Sequence, residues 1–162
     1  MAKIEFKRVD LGDGVVYEGE IENGKRFVFG KYSQGTVTYI GEFNEESDME
    51  GIGKLTLDNE ELQLVSVGTF KGIGSNGLPI LNGYGAIYYF FKGPKPKEVG
   101  DIKFEEGKFV DGQLHGQGII HYDDGGKYEG GFANGRMHGK GIRTNADGIT
   151  TSREYDNGKF IL

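Results

Sequence analysis

The sequence contains no cysteine and no tryptophan, and only three of its 162 residues are prolines. Without cysteine, the chain can form neither a disulfide framework nor a thiolate metal site. No apolar run approaches the roughly 20 residues of a membrane-spanning helix, and the first residues lack the apolar segment of a signal peptide. These absences predict an intracellular, cytoplasmic protein.

Positive charge is also scarce, because 19 lysines and arginines stand against 25 acidic residues and the net charge is −6. Nucleic-acid binding needs clustered basic side chains that displace counterions, so this class of function is disfavoured. The acidic balance also opposes general attraction to an anionic membrane surface.

Glycine is abundant, with 30 residues, and it is accompanied by 9 tyrosines and 11 phenylalanines. Average usage would give about 11 glycines in a chain of this length. The glycines follow no three-residue period, which excludes a collagen-like chain. Many glycines together with many aromatic residues predict short strands joined by tight turns.

The sequence repeats itself with a shift of 23 residues between positions 105–127 and 128–150. Seven identities share this shift: Gly107/Gly130, Phe109/Phe132, Gly112/Gly135, His115/His138, Gly116/Gly139, Gly118/Gly141 and Gly125/Gly148. The same outline recurs upstream with altered spacing. The predicted units are an N-terminal cap strand at 1–13, repeats near 17–38, 39–65, 66–104 (with insertions), 105–127 and 128–150, and a partial C-terminal cap at 151–162.

Each unit alternates as a β-strand does, so that Tyr128, Gly130 and Phe132 share one face. The dipeptide Asn134-Gly135 follows, and both of its residues tolerate the positive φ of a hairpin turn. Asn-Gly or Asp-Gly begins at nine positions, which predicts a meander of hairpins: 13, 23, 76, 82, 111, 124, 134, 147 and 157. Glycines inside strands mark close approaches, and the expected neighbour is an aromatic ring from the adjacent hairpin.

The pattern Tyr-x-Gly-x-Phe-x-x-Gly-x-x-x-Gly-x-Gly, with Asp-Gly six residues later, resembles the MORN repeat. Residues 128–148 match it throughout, and residues 107–125 match except that Glu105 holds the leading aromatic position. The earlier units match more loosely, with Ser66 leading the third. The resemblance implies an all-β fold, an elongated twisted antiparallel sheet of successive β-hairpin repeats. The expected repeat core comprises Phe43, Phe70, Phe109, Tyr128 and Phe132.

Proteins of this family include ciliary and cytoskeletal scaffolds, and some carry a separate catalytic domain. Here the repeats occupy the chain, so the resemblance implies a non-catalytic scaffold that binds protein partners in a larger assembly, such as a cytoskeletal or ciliary one. Histidines 115 and 138 have no evident third metal ligand, and the glycine-rich segment 72–77 has no helix after it to hold a phosphate. No catalytic residue, metal site or cofactor is therefore predicted.

The segment 87–91 departs from the repeat, because Tyr88 and Phe90 point away from the face of Ile87, Tyr89 and Phe91. A strand that is apolar on both faces is covered on both faces. The predicted partner-binding surface combines these two rings with a neighbouring apolar insertion: Leu78, Ile80, Leu81, Tyr88 and Phe90. The alternative is that Ile80 and Leu81 fold back over the two rings as an internal lid.

The alternative functional hypothesis is that the protein is a peripheral membrane adaptor, which binds acidic phospholipids through Lys92, Lys95 and Lys97. Each lysine near an anionic bilayer contributes only about 1 kcal/mol, and the acidic total works against it. Homodimerisation through a sheet edge is compatible with either function, because an array of hairpins has two ends to protect.

Overall fold

A computed structural model describes residues 4–75, 77–95 and 101–162, without the side chain of Phe27. The described residues form thirteen β-strands and no helix. The strands follow one another through a single sheet in chain order, and each is antiparallel to its neighbours. The predicted all-β sheet of successive antiparallel hairpins is therefore confirmed.

The strands are β1 (Ile4–Gly12), β2 (Val15–Glu22), β3 (Lys25–Gln34), β4 (Val37–Phe43), β5 (Met49–Asp58), β6 (Leu62–Ile73), β7 (Pro79–Phe91), β8 (Ile102–Val110), β9 (Gln113–Tyr122), β10 (Lys127–Ala133), β11 (Arg136–Thr144), β12 (Thr150–Asp156) and β13 (Lys159–Phe160).

Five connections are two-residue turns in which both residues have positive φ: Asp13-Gly14, Asn23-Gly24, Asp111-Gly112, Asn134-Gly135 and Asn157-Gly158. The first residue has φ between 47° and 52°, and the glycine has φ between 74° and 87°. Positive φ at both central residues is the type I′ geometry that suits twisted hairpins. Of the other predicted dipeptides, Asn82-Gly83 lies inside β7, those at 124 and 147 lie in longer loops, and Asn76 lies outside the described residues.

A row of ten paired glycines crosses the sheet from β2 to β11. We call it the glycine row: Gly19, Gly30, Gly41, Gly53, Gly68, Gly85, Gly107, Gly118, Gly130 and Gly141. The face on which large side chains lie over this row is the core face, and the opposite one is the outer face.

In three repeats the leading tyrosine covers its own glycine and the glycine of the return strand. The hydroxyl oxygens of Tyr17, Tyr39 and Tyr128 would lie 2.3–2.6 Å from a Cβ at those glycines. In these three repeats the ring therefore comes from the same hairpin and not, as expected, from the adjacent one. A ring of the adjacent hairpin approaches Gly118, where Phe132 Cδ2 lies 3.3 Å from the Cβ position. A ring can reach its own glycine because residues i and i+2 share a face of the strand.

Two repeats lack the leading tyrosine, and a leucine from the return strand takes its place. Leu81 lies over Gly68 and Gly85, with its Cδ1 atom 3.0 Å from the Cβ position of each. Leu114 covers the corresponding pair in the next repeat, at 3.0–3.1 Å. The space above the glycine row is thus filled in all five repeats, although by two different residue types.

The core follows this row as a chain of buried side chains on one face of the sheet. Tyr17, Phe43, Tyr39 and Phe70 pack edge to face in that order, with ring centroids 5.2–5.6 Å apart. Edge-to-face contact is the preferred arrangement of aromatic pairs. The buried cluster contains all five residues that the repeat pattern assigned to the core, Phe43, Phe70, Phe109, Tyr128 and Phe132.

Candidate functional site

Four rings stack on the outer face across β7, β8 and β9. Tyr88 pairs with Phe104, and Phe104 pairs with His121, so their side chains stand side by side. The ring centroids are 5.1 Å apart for Tyr88 and Phe104 and 4.0 Å apart for Phe104 and His121, with interplanar angles of 22° and 11°. Phe90 extends the stack beyond Tyr88 at 6.4 Å. We call these four residues the outer aromatic row.

The repeat itself does not require rings at these positions. Tyr88, Phe104 and His121 each lie three residues from a member of the glycine row. The equivalent positions in other strands carry smaller or charged side chains: Val16, Ser33, Thr38, Thr56, Val65, Lys127 and Thr144. The row is therefore a feature of this part of the array beyond what the fold needs.

Alternation along β7 places Tyr88 and Phe90 on the outer face, as the sequence indicates, and 51% of Phe90 is exposed. Phe104 and His121 were not predicted as site residues. The connection between β7 and β8 spans residues 92–101. Because it is long, the sequence does not reveal the register that brings Phe104 opposite Tyr88. Counting three residues from the paired glycines of each strand would have found both.

The other predicted partner-binding residues lie elsewhere. Leu81 is 4% exposed and lies on the core face. Ile80 is partly buried and lines a cleft together with Phe70 and Leu81. Leu78 lies in the turn before β7, where its carbonyl accepts a hydrogen bond from the backbone N–H of Gly74 at 2.8 Å. The predicted set of five is thus split. Ile80 and Leu81 belong to the same extended strand as Tyr88, so they do not fold back over its ring as a lid.

The lysines of the predicted lipid-binding patch are engaged with carboxylates. The Lys92 ammonium donates to Asp58 Oδ1 at 2.5 Å and to the carbonyl of Asn59 at 2.7 Å. The hydrogen bond from Lys92 holds the pKa of the Asp58 carboxyl below its usual range. Lys95 forms an ion pair with Asp123 and lies 5.2 Å from the centroid of the Phe91 ring. Lys97 lies outside the described residues.

The strand ends on the side of the sheet that carries these two lysines form an acidic edge. In the described part of the chain, the turns and strand ends there include eight carboxylates: Asp13, Asp58, Glu60, Glu61, Asp101, Asp123, Asp124 and Asp147. Paired lysines among so many carboxylates do not form a basic patch.

A groove continues from the outer aromatic row along the glycine row. It consists of two adjoining clefts of about 540 and 530 Å³ that share Gln117, Glu129 and Gly130. Tyr84, which is 75% exposed, lies at one end, and Ile142 lies towards the other. Glu106 connects the groove with the outer aromatic row, since it lines the groove and its Oε1 atom is 2.9 Å from His121 Nε2. We call the two adjoining clefts the outer groove.

Among the described residues, no group of three or more His, Asp or Glu side chains could hold a metal ion. The same residues include no helix that is long and apolar enough to cross a membrane.

The sheet of equivalent hairpins, with its glycine row and covering tyrosines, defines a β-hairpin repeat protein. The family model of the MORN repeat matches residues 17–36, 106–127 and 128–150, which overlap the hairpins β2–β3, β8–β9 and β10–β11. These three segments are MORN repeats, as the resemblance implied. A search of curated proteins found no match. MORN repeats are in general protein-binding or membrane-binding modules, which is compatible with a non-catalytic scaffold.

Proposed function

We propose that this protein is a non-catalytic scaffold that binds a protein partner through the outer aromatic row and the adjoining outer groove. The observation that carries the proposal is the stack of Phe90, Tyr88, Phe104 and His121 at positions where the repeat needs no ring. A cytoskeletal or ciliary assembly is the narrower form of the same proposal.

Stacked rings are suited to binding because they are arranged before the partner arrives. Aromatic side chains dominate the energetics of many interfaces, and an ordered side chain loses little conformational entropy on association. Phe90 is half exposed and Tyr84 is three-quarters exposed, so apolar area remains to be buried. Burial contributes about 25 cal/mol for each Å² of apolar surface removed from water.

Binding of acidic phospholipids has less support. Lys92 and Lys95 already pair with Asp58 and Asp123, and a lipid phosphate would have to displace those carboxylates. The acidic edge around them repels an anionic bilayer. Co-sedimentation with phosphatidylserine vesicles checks this, because binding at low salt that fades as salt rises would favour the lipid function.

The proposal is tested with a Tyr88→Ser/Phe90→Ser variant of the full chain. An Ile40→Ser/Ile52→Ser variant is the matched control, since both isoleucines are exposed on the outer face away from the row. Each protein is used as bait in a native extract, and captured proteins are quantified by mass spectrometry. Partners that bind the wild type and the control but not the Tyr88/Phe90 variant are expected, with Kd measured on the purified pair.

Thermal unfolding of the three proteins separates binding from folding. The expected result is a similar midpoint for both variants, with partner loss confined to one of them. Unchanged partner binding together with a large loss of thermal stability in the Tyr88→Ser/Phe90→Ser variant would show that the rings serve packing only.

A further inference from the structure

The first strand leaves one edge of the sheet open. β1 pairs with β2 along one side, and within the described residues no strand pairs with its other side. This edge is nine residues long, whereas β13 at the opposite end has two. Proteins usually protect sheet edges with short strands, and a long open edge is a template for another strand. Phe6 on β1 is 77% exposed and Ile4 is 52% exposed.

The side chains of β1 are divided between the two faces. Lys7 pairs with Gly19 of the glycine row, so Lys7 and Glu5 lie on the core-face side and form an ion pair with each other. Ile4, Phe6 and Arg8 alternate with them and lie on the outer-face side.

An identical copy can pair with this edge in only a few registers. Antiparallel pairing about a two-fold axis perpendicular to the sheet keeps both outer faces on one side and places one residue opposite itself. With the axis at Glu5, Lys7 or Arg8, two like charges would face each other, which is destabilising. With the axis at Val9, the paired segment would run into the β-bulge between Asp10 and Gly12, where the edge is no longer regular. With the axis at Phe6, the two phenylalanines meet, each Glu5 faces Lys7 and each Ile4 faces Arg8.

We propose that a second copy of this chain pairs with the β1 edge in the register centred on Phe6. In this dimer, Glu5 and Lys7 of both copies form a cluster of alternating charges on one face. The two Phe6 side chains lie directly opposite on the other face, where cross-strand Cβ atoms are about 4.5–5.5 Å apart. Like charges disfavour the registers centred on Glu5, Lys7 and Arg8, and the β-bulge disfavours the one centred on Val9, whereas the register centred on Phe6 meets neither obstacle.

Only residues 4–8 of each described strand pair in this register, so the interface is small. Interfaces that bury less than roughly 1,000 Å² in total give weak, concentration-dependent association. The dimer joins two sheets into one, and the outer aromatic rows then lie on the same side of the assembly. The surface is separate from the proposed binding site, so the dimer does not depend on that site's function.

Cysteine cross-linking tests the register, because the natural sequence has no cysteine. Phe6→Cys, Lys7→Cys and Arg8→Cys variants of the full chain each carry one thiol and are oxidised with oxidised glutathione. A disulfide needs Cβ atoms about 3.5–4.5 Å apart, which favours the residue on the axis. Fast disulfide dimer formation by Phe6→Cys alone is expected. Preferred cross-linking at position 7 or 8, or equal slow reaction of all three, would overturn the proposal.

Charge reversal tests the same contacts without a covalent link. The Glu5→Lys and Lys7→Glu variants should each sediment as a monomer at concentrations where the wild type dimerises. An equimolar mixture of the two should dimerise again, because every lysine then faces a glutamate. Circular dichroism and thermal unfolding verify that both variants fold. A wild type that remains a monomer at several hundred micromolar, or a mixture that fails to recover dimers, would refute the dimer.

Discussion

The hydroxyl group of Tyr39 occupies the space in which a side chain on Gly53 would begin. A Cβ atom at Gly53 would lie 2.5 Å from the hydroxyl oxygen and 2.6 Å from two carbons of the ring. The ring cannot move aside, because Phe43 and Phe70 pack against it edge to face at 5.6 and 5.5 Å. The glycine at this position is therefore required by the volume of the tyrosine.

Gly53→Ala is expected to destabilise the protein by about 2–3 kcal/mol, since overpacking a well-filled core usually costs about 1–3 kcal/mol. For a chain of this size the midpoint of thermal unfolding should fall by roughly 5–10 °C. Gly93→Ala is the matched control, because a Cβ at Gly93 would meet nothing within 4 Å. Equal midpoints for the two variants would show that the glycine row tolerates side chains.

The buried tyrosine hydroxyls differ in their hydrogen bonds. Tyr39 donates to the carbonyl of Glu42 at 3.1 Å, whereas the Tyr128 hydroxyl is buried without a hydrogen-bond partner in the described part of the chain. Tyr39→Phe should therefore cost about 1 kcal/mol of unfolding free energy. Tyr128→Phe should cost nothing or stabilise slightly, because it removes a buried polar group that has no partner. Urea denaturation measures both, and a larger loss at Tyr128 would contradict the assignment.

Most of the architecture could be predicted from the sequence because it depends on local rules. Asn-Gly and Asp-Gly dipeptides specify two-residue turns, and strand alternation places Tyr128, Gly130 and Phe132 on one face. Both rules act within one hairpin, so a single sequence is enough to apply them. The outer aromatic row depends instead on the register of β7 with β8 across a long connection.

The replacement of the leading tyrosine by a leucine from the return strand also depends on a contact between strands, although the sequence contains a sign of it. Leu81 and Leu114 each precede a glycine of the row by four residues, and in the repeats led by tyrosine this position holds Arg26, Met49 or Met137. The leading residue and the residue four positions before the glycine of the return strand fill the same space, so a change at one goes with a change at the other. This pairing becomes evident only when the contact between the two strands of the hairpin is known.

Leu114→Ala should lower the unfolding free energy by about 2–5 kcal/mol, because the side chain is 1% exposed and its removal leaves a cavity. Adding Glu105→Tyr should recover part of the loss, since a leading tyrosine would then occupy the space over Gly107. Ile142→Ala, at an exposed outer-face position, is the control and should have little effect. The Glu105→Tyr variant is also measured alone. If the changes in unfolding free energy of the two single variants add up to that of the double variant, the two residues do not share one space.

Glu105 faces the core side between Ile87 and Ile120, where neighbouring repeats carry apolar side chains. Burial raises the pKa of the Glu105 carboxyl, and the hydrogen bond that the Tyr89 hydroxyl donates to it at 2.9 Å offsets only part of that effect. Burial also raises the pKa of Tyr89, and the charge of Glu105 adds to it.

A carboxyl group with a raised pKa binds its proton more tightly in the folded state than in the unfolded state. Its contribution to stability is present below the ordinary pKa of 4.5 and is lost as pH rises through the folded-state pKa. Glu105→Gln removes this dependence while retaining an oxygen that can accept the Tyr89 hydrogen bond. The unfolding free energy of the wild type should therefore fall relative to the variant between pH 4 and 8 in urea titrations.

The exposed Glu60→Gln change is the control. If the unfolding free energy of Glu105→Gln followed pH in parallel with that of the wild type, the pKa of Glu105 would not change on folding.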